Sequence, residues 1–326
     1  METKKINRRQ ALQATAVLGT ALLLPIQKLQ ATTLIAGKTP GLTPEEITAI
    51  ETAIGKKGSY KEAESLHTTA LPRNDLKITI KGAPVPIPFG FGGWVSFKKS
   101  VDGKSAMVMG DTVLLQEEVN PMISAAQSNG LEISAIHNHF FYEEPRIFYM
   151  HIQGMGGVAD LAKRYADTIR ASKIFPANQL APSTPSAITG KENFDIMALD
   201  AIVKYTGTVN GPTYKYTIGR SDLKVMMMGV EMTTNIGLNT WASFAGKQDD
   251  AQIAGDIAML PGEVNNVIKT LRKHNLEVVA VHSHMLNDDP HIIFLHYYGR
   301  GKATELAQGF RAALDVLGKP MGDMKM

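Results

Sequence analysis

Nine histidines stand in a chain of 326 residues, and six of them fall into a pattern that can do chemistry. His137-Asn138-His139 is followed by His151, and His282-Ser283-His284 is followed by His296. In a β-strand, residues i and i+2 face the same side about 6.6–6.8 Å apart along the chain. Each H-x-H pair can therefore aim two imidazoles into one space, and an antiparallel neighbour carrying His151 or His296 can add a third. Imidazoles converging to about 2.0–2.1 Å make a site for a divalent metal such as Zn, Mn or Fe, which activates bound water by lowering its pKa. Glu118 and Glu263 are candidate carboxylate ligands or general bases. They are more easily explained as first-turn carboxylates that complement a helix dipole. A lone histidine at a strand end is usually a hydrogen-bonded, half-buried side chain. Repetition of the whole pattern is what turns the reading towards a metal.

The histidines recur because the chain is duplicated. Gly110-Asp111, Glu118-Val119-Asn120, Leu131-Glu132, His137, His139, Pro145, His151 and Gly154 return at Gly255-Asp256, Glu263-Val264-Asn265, Leu276-Glu277, His282, His284, Pro290, His296 and Gly299, each pair 145 apart. Upstream the offset is 147: Arg73 to Lys77 matches Arg220 to Lys224, and Trp94, Ser96 and Phe97 match Trp241, Ser243 and Phe244. A two-residue insertion between Phe97 and Ala106 accounts for the change. The spacing is too long for a short-period solenoid. It implies two copies of one unit, repeat one over 42–175 and repeat two over 191–318, joined by a Pro-, Ser- and Thr-rich linker over 176–190.

Periodicity orders the elements within a copy. Thr43 to Ile54 reads as a helix with Thr43 as N-cap, Pro44 first and Glu46 completing a capping box. Strands are expected at Leu76–Ile80, Trp94–Phe97 and Ala106–Leu115. A helix follows from about Glu117 to Ser128, with Pro121 in its first turn. Glu132–His139 and Ile147–Ile152 read as further strands, and Val158–Ser172 as the closing helix, matched by Ala303–Leu317 in repeat two. The fold class is α+β: two tandem pseudo-symmetric repeats, each a mostly antiparallel sheet with helices packed on it. Arg73 with Asp75, and Arg220 with Asp222, are expected on one strand face, as paired rim charges or as substrate-binding arginines. Asp111 and Asp256 read as turn or cap residues with a functional role as the alternative, and Trp94, Phe97, Trp241 and Phe244 as core. Each copy can carry its own site, or the two can share one cleft, in which case facing H-x-H pairs can also do metal-free acid/base chemistry.

Other motifs carry less. H-N-H by letters is not the dispersed nuclease motif of that name. Gly154-Met155-Gly156-Gly157 can cradle a phosphate but reads more simply as a helix-entry loop, since no strand-linked nucleotide fingerprint accompanies it. Met226-Met227-Met228 reads as buried strand rather than a copper site.

The chain has no cysteine, which excludes disulfides, zinc-cysteine sites, iron–sulfur clusters, thiol nucleophiles and lipidated cysteine. Residues 1–31 hold Lys4, Lys5, Arg8 and Arg9, then an apolar run from Ala11 to Leu24, then Leu29-Gln30-Ala31. This reads as a signal peptide, too short and too polar for a membrane span of about 20 residues. Arg8-Arg9 is similar to a twin-arginine signal. General secretion and an uncleaved anchoring helix are the alternatives, and cleavage is expected near Ala31 or Ala36. These residues hold a net +4 of the chain's +3, leaving −1 on the remainder. The slight basicity belongs to the export signal and points to no nucleic-acid partner.

The segments Arg73-Asn74-Asp75-Leu76-Lys77, Gly110-Asp111, Glu118-Val119-Asn120-Pro121, Ala135-Ile136-His137-Asn138-His139 and Pro145 to His151, with their second-half counterparts, resemble the LppY/LpqO family of exported bacterial proteins, over roughly Leu42 to Leu317. The resemblance implies export and supplies no reaction and no catalytic residues. The namesakes look like lipoproteins, whereas this chain has no cysteine to lipidate. The leading expectation is an exported protein, periplasmic or extracellular, with a divalent-metal site for hydrolytic or lyase-like chemistry on a small molecule. The alternatives are a non-enzymatic module for a cell-envelope ligand, with Trp94 and Trp241 lining a groove and the histidines dispersed, and a metal-free acid/base enzyme.

Overall fold

A computed structural model describes residues 39–174 and 188–319. The expected signal over 1–31, and the linker up to residue 187, lie outside the described residues. Copy one contains α1 (Pro44–Ile54), β1 (Ser59–Lys61), β2 (Leu66–Pro72), β3 (Ile78–Ile80), β4 (Ala83–Val85), β5 (Gly92–Lys99), β6 (Ala106–Leu115), α2 (Gln116–Ser128), β7 (Glu132–His137), β8 (Glu143–Glu144), β9 (Ile147–Gly156) and α3 (Val158–Ile169). Copy two repeats the order: α4 (Gly190–Asn193), α5 (Ile196–Val203), β10 (Thr208–Asn210), β11 (Thr213–Gly219), β12 (Val225–Met227), β13 (Val230–Met232), β14 (Asn239–Lys247), β15 (Asp250–Met259), α6 (Val264–Lys273), β16 (Glu277–His282), β17 (Asp288–Asp289), β18 (Ile293–Gly301) and α7 (Ala303–Asp315). The architecture is the expected α+β duplication.

Each copy builds an antiparallel six-stranded sheet, β1-β2-β5-β6-β9-β7 and β10-β11-β14-β15-β18-β16, and a three-stranded one, β4-β3-β8 and β13-β12-β17. The start of α1 follows the cap chemistry. The Thr43 N–H donates to Glu46 Oε2 at 2.7 Å, and the Thr43 hydroxyl accepts from the Glu46 N–H. Three local expectations are corrected. Pro121 lies in the second turn of α2, where its missing N–H affects only the solvent-exposed Glu117 turn. β7 ends at His137, leaving His139 in the loop beyond it. Arg73 and Asp75 sit in the turn after β2, closed by the Leu76 N–H donating to the Arg73 carbonyl at 3.0 Å, and not on a strand. The strand β2 and its counterpart β11 had no sequence expectation, because His67, Thr68, Thr69 and Pro72 blur the alternation in Leu66–Pro72.

The two faces of each large sheet do different work. Along β6, Ala106, Val108 and Leu114 join the core under α1, α2 and α3. Met107 and Met109 instead pack with Val225, Met227, Ile236 and Phe294 of copy two. Val113 packs with Ala254 and Tyr298. In β15, Ala251, Ile253, Ile257 and Met259 lie on the helix side, and Ala254 and Ala258 on the side shared with copy one. Period-2 alternation thus turns every second residue of these central strands towards the other copy, and Asp111 and Asp256 occur at such positions.

The backbone leaves no slack there. A Cβ on Gly255 would run into the Trp241 carbonyl and the Tyr297 ring. We expect Gly255→Ala to lower stability by about 1–3 kcal/mol through overpacking, measured by urea denaturation, with Gly301→Ala, which meets nothing within 4 Å, as the near-neutral control.

Candidate metal centre

Three adjacent strands of each sheet carry the site in register. Asp111 on β6 is flanked by Trp94 on β5 and His151 on β9, and in copy two Asp256 is flanked by Trp241 and His296. Directly opposed residues share a face, so each sheet presents a Trp-Asp-His row towards the other copy. The H-x-H pairs reach the rows from the edge strands. Both edge strands shift register at a bulge, between Ile133 and Ala135 and between Val278 and Ala280. Such a bulge re-aims the side chains that follow it, here His137 and His282.

All six histidines converge in one cluster on the pseudo-twofold. His137 and His282, related by the duplication, stack at 3.7 Å between ring centroids. His139 stacks on His296 at 3.7 Å, and its mate His284 on His151 at 4.0 Å. His137 Nε2 and His296 Nε2 are 3.0 Å apart, and Asp256 Oδ2 lies 3.2 Å from His284 Nε2 and 3.8 Å from His296 Nε2. Of the two arrangements open in the sequence, the structure has the shared one. Tyr149 and Phe294 hold the rings from behind, stacked on His139 at 3.2 Å and on His284 at 3.5 Å.

Three sets of side chains offer ligand atoms within 4.8 Å of one another: Asp256 with His282, His284 and His296; His137, His139 and His296; His137, His151 and His282. Ligand atoms around one tetrahedral ion stand about 3.3 Å apart, so a small inward movement of rings closes any of them on a metal. His139 Nδ1 faces the Gly90 carbonyl at 3.3 Å, and His296 Nδ1 the Gly255 carbonyl at 3.1 Å. A neutral imidazole donates its Nδ1–H to such a carbonyl and leaves the Nε2 lone pair pointing into the cluster, the tautomer a metal ligand needs. Among the described residues, nearly half of the buried side-chain polar atoms without a hydrogen-bond partner belong to this cluster: both nitrogens of His151 and His282, one each of His137, His139 and His284, and Oδ1 of Asp111 and Asp256. Buried polar atoms are rarely left so.

Burial, then the neighbouring imidazoles, holds His137, His139 and His151 far below the ordinary histidine range, and His296 likewise. His282 and His284 are lowered to about 3, chiefly by burial. The imidazoles are therefore neutral ligands at neutral pH. Burial, and then the charge of Asp256, raises Asp111 to about 8, while burial raises Asp256 to about 6. The cluster opens on a cavity of about 270 Å³ walled by both Trp-Asp-His rows, His139, His284 and Lys215. That is just below the range of about 300–1,000 Å³ usual for drug-sized ligands.

The family model described as Domain of Unknown Function (DUF1259) matches residues 48–171 and again 197–316. The chain belongs to this family. It carries the domain twice, and each match spans one full Trp-Asp-His row and its H-x-H pair. No curated protein matches the chain significantly. Among solved structures, a trimeric bacterial microcompartment shell protein, PduB, is similar at 12% identity over 79% of this chain and 89% of that one, with a TM-score of 0.20. EtuB from Clostridium kluyveri is similar at 9% identity over 70% and 89%, with a TM-score of 0.18. Superpositions this loose carry no argument about fold or function.

Glu118 and Glu263 do not join the histidines. Glu118 Oε2 accepts from Arg73 Nη1 at 2.6 Å and from the Leu115 N–H at 2.8 Å, and Oε1 from the Lys173 N–H at 3.0 Å. Glu263 is held by Arg220 at 2.9 and 3.1 Å, by the Leu260 N–H at 2.7 Å and by the Gly318 N–H at 2.5 Å. Every oxygen is occupied, so the expected ligand or base role is replaced by a structural one, tying the start of a helix to the end of its copy. Arg73 and Arg220 are buried and saturated, each adding a bidentate pair to Asp75 or Asp222 at 2.8–2.9 Å and a bond to a strand carbonyl. The pairing was expected; the rim position and the substrate-binding role are not where the structure puts them. Arg220 does edge a second cavity of about 320 Å³, which contains none of the histidines. Trp94 and Trp241 pack against the cores between the copies, as expected, and also line the cavity. The reading of Asp111 and Asp256 as turn residues is corrected: both lie within strands, and Asp111 is the sole charge in ten-residue β6, a signal that singles it out, whereas Asp256 shares β15 with Asp250 and Gln252.

These shifts fix a pH dependence for the metal-free protein. Unfolded histidines protonate near about 6.5, while the folded ones stay neutral to much lower pH, so the six contribute stability that is lost as pH falls below that value. Asp111 and Asp256, raised in the fold, act in the opposite sense, with stability present below 3.8 and lost as pH rises through about 6 and about 8. Six groups outweigh two. The urea midpoint is expected to fall from pH 7 to pH 5, and an equal or higher midpoint at pH 5 would contradict the assignment of neutral buried imidazoles.

Proposed function

We propose that the protein binds one divalent transition metal, Zn, Mn or Fe, in the shared histidine cluster and uses it for hydrolytic or lyase-like chemistry on a small molecule. The observation that carries the reading is the convergence of six neutral imidazoles, five of them buried and five with at least one ring nitrogen lacking a partner, beside two buried carboxylates. Any two of the three ligand sets share one histidine, His296, His282 or His137, which supports a stoichiometry of one ion per chain. The Asp256 set offers four donors, including a carboxylate to offset the charge. Each three-histidine set leaves a position for water or substrate, as catalytic sites require. Asp111, with its unpartnered Oδ1 facing the same space, is the group placed to take or return a proton.

The test is metal binding by purified protein, followed by elemental analysis and isothermal titration. The shared histidines should matter most. His137→Ala, His282→Ala and His296→Ala are each expected to weaken binding by at least about tenfold, His139→Ala and His151→Ala by less, and Glu118→Gln not at all. Absence of any bound transition metal after loading with Zn, Mn and Fe would sink the proposal. The close pairing of His137 with His296 favours metal-free acid/base chemistry as the second reading, and activity that survives chelation would select it.

We further place the protein outside the cytoplasm, on the basis of the basic and apolar pattern in residues 1–31 and the resemblance to exported LppY/LpqO proteins. Mass spectrometry of the product from the native host should show a chain beginning shortly after Ala31 or Ala36; an intact Met1 on all of it would overturn the placement.

A further inference from the structure

The cavity on the pseudo-twofold is symmetric in its metal-binding parts and asymmetric in the rest. Trp94 and Trp241, Asp111 and Asp256, His139 and His284, and His151 and His296 face it in pairs. The tip of each tryptophan ring reaches across to a glycine of the other copy, Trp241 to Gly90 and Trp94 to Gly237. Where copy one places Thr68 and Ala70 on β2, copy two places Lys215 and Thr217 on β11. The equivalence is fixed by register, since Thr68 pairs with Ser96 and Lys215 with Ser243, themselves related by the 147-residue offset. Duplication alone would have left the two walls alike, and one of them carries a cation.

Lys215 has no ion-pair partner among the described residues. Its Nζ lies over the Trp241 ring, 4.6 Å from the centroid, and the side chain lines the cavity. Burial lowers it to about 8, with the field of Asp111 opposing. A half-buried ammonium left without a counter-ion favours an anionic ligand over a neutral one. Thr217, two residues on and facing the same side, adds a hydroxyl at the cavity wall. The two tryptophan faces offer apolar area for whatever body the anion carries. One lysine supplies one positive charge, and the same cavity contains two aspartates, so a dianion is disfavoured against a monoanion.

We propose that Lys215 is the substrate-recognition residue of this cleft and that its ligand class is a small organic carboxylate with a planar or apolar body, the carboxylate meeting Lys215 and Thr217 and the body lying against Trp241 and Trp94. This deepens the proposed metal site by naming what is brought to it, and it rests on that reading only for the chemistry that follows binding. The acid is placed on the copy-two wall, so the two otherwise equivalent halves take different roles: one holds the substrate anion, and the other faces its reactive end.

The chain has two tryptophans and both line this cavity, so intrinsic fluorescence reads the site directly. Full-length protein, metal-free and Zn-loaded, is titrated with benzoate, with benzamide as the neutral isostere and with inorganic phosphate. Benzoate is expected to give a saturable change, and K215T, which installs the residue copy one carries, is expected to weaken it about tenfold or more through loss of a charge-assisted hydrogen bond. K215M, an uncharged side chain of similar reach, should behave as K215T, and T68A, on the neutral wall, should bind as the wild type does. No saturable response to benzoate in either metal state, equal binding of benzamide, tighter binding of phosphate, or unchanged affinity in K215T and K215M would each overturn the proposal. The metal reading is judged separately: Lys215-dependent benzoate binding in a protein that takes up no metal would leave the recognition assignment standing and remove the metal chemistry.

Discussion

Everything in this molecule depends on a buried imidazole's need for a partner. Six histidines and two aspartates are drawn into a space where burial disfavours every charged form. A neutral imidazole has one donor and one acceptor, and backbone carbonyls of Gly90 and Gly255 satisfy the donor for His139 and His296. Of the other nitrogens, His137 Nε2 meets His296 Nε2, His284 Nε2 faces Asp256, and the rest have no hydrogen-bond partner. Six lone-pair acceptors cannot satisfy one another, whereas a divalent cation satisfies several at once. The same desolvation that makes the cluster unfavourable when metal-free keeps its ligands deprotonated and ready to bind.

The fold can be understood as the means of assembling that cluster. Each sheet buries one face under its helices and turns the other to its twin, so the inner face is shared by construction. Alternation along β6 and β15 puts Asp111 and Asp256 on this face. Antiparallel pairing places a tryptophan and a histidine on either side of each, and the bulges in β7 and β16 swing the H-x-H pairs inwards. The Arg73-Glu118 and Arg220-Glu263 pairs then fix helix starts to the strand ends that carry the rows. Removing one partner of such a buried pair costs about 3–5 kcal/mol, so their duplication marks structural necessity rather than chemistry.

Much of this was legible in the chain. The offsets of 145 and 147 gave the duplication, and the helix caps at Thr43 and the long apolar run of Ala106–Leu115 gave elements close to those observed. The H-x-H spacing gave the cluster's membership. What the sequence withheld was distance across strands. Asp111 lies 40 residues from His151 along the chain and directly beside it in the sheet, and nothing local announces that pairing. Glu118 misled because a first-turn glutamate has the same local signature whether it caps, pairs or catalyses; only the position of Arg73 decides. Lys215 was invisible for a different reason, since its meaning lies in the contrast with Thr68 and emerges only when the two β-sheets are laid over each other.

The central claim is that both copies build a single metal site. Its most direct test is nitrogen NMR of protein labelled with ¹⁵N-histidine, titrated with Zn. If the account is right, imidazole resonances of copy one and copy two shift together and reach their end point at one equivalent of metal. Shifts confined to the histidines of one copy, or two independent end points, would contradict it.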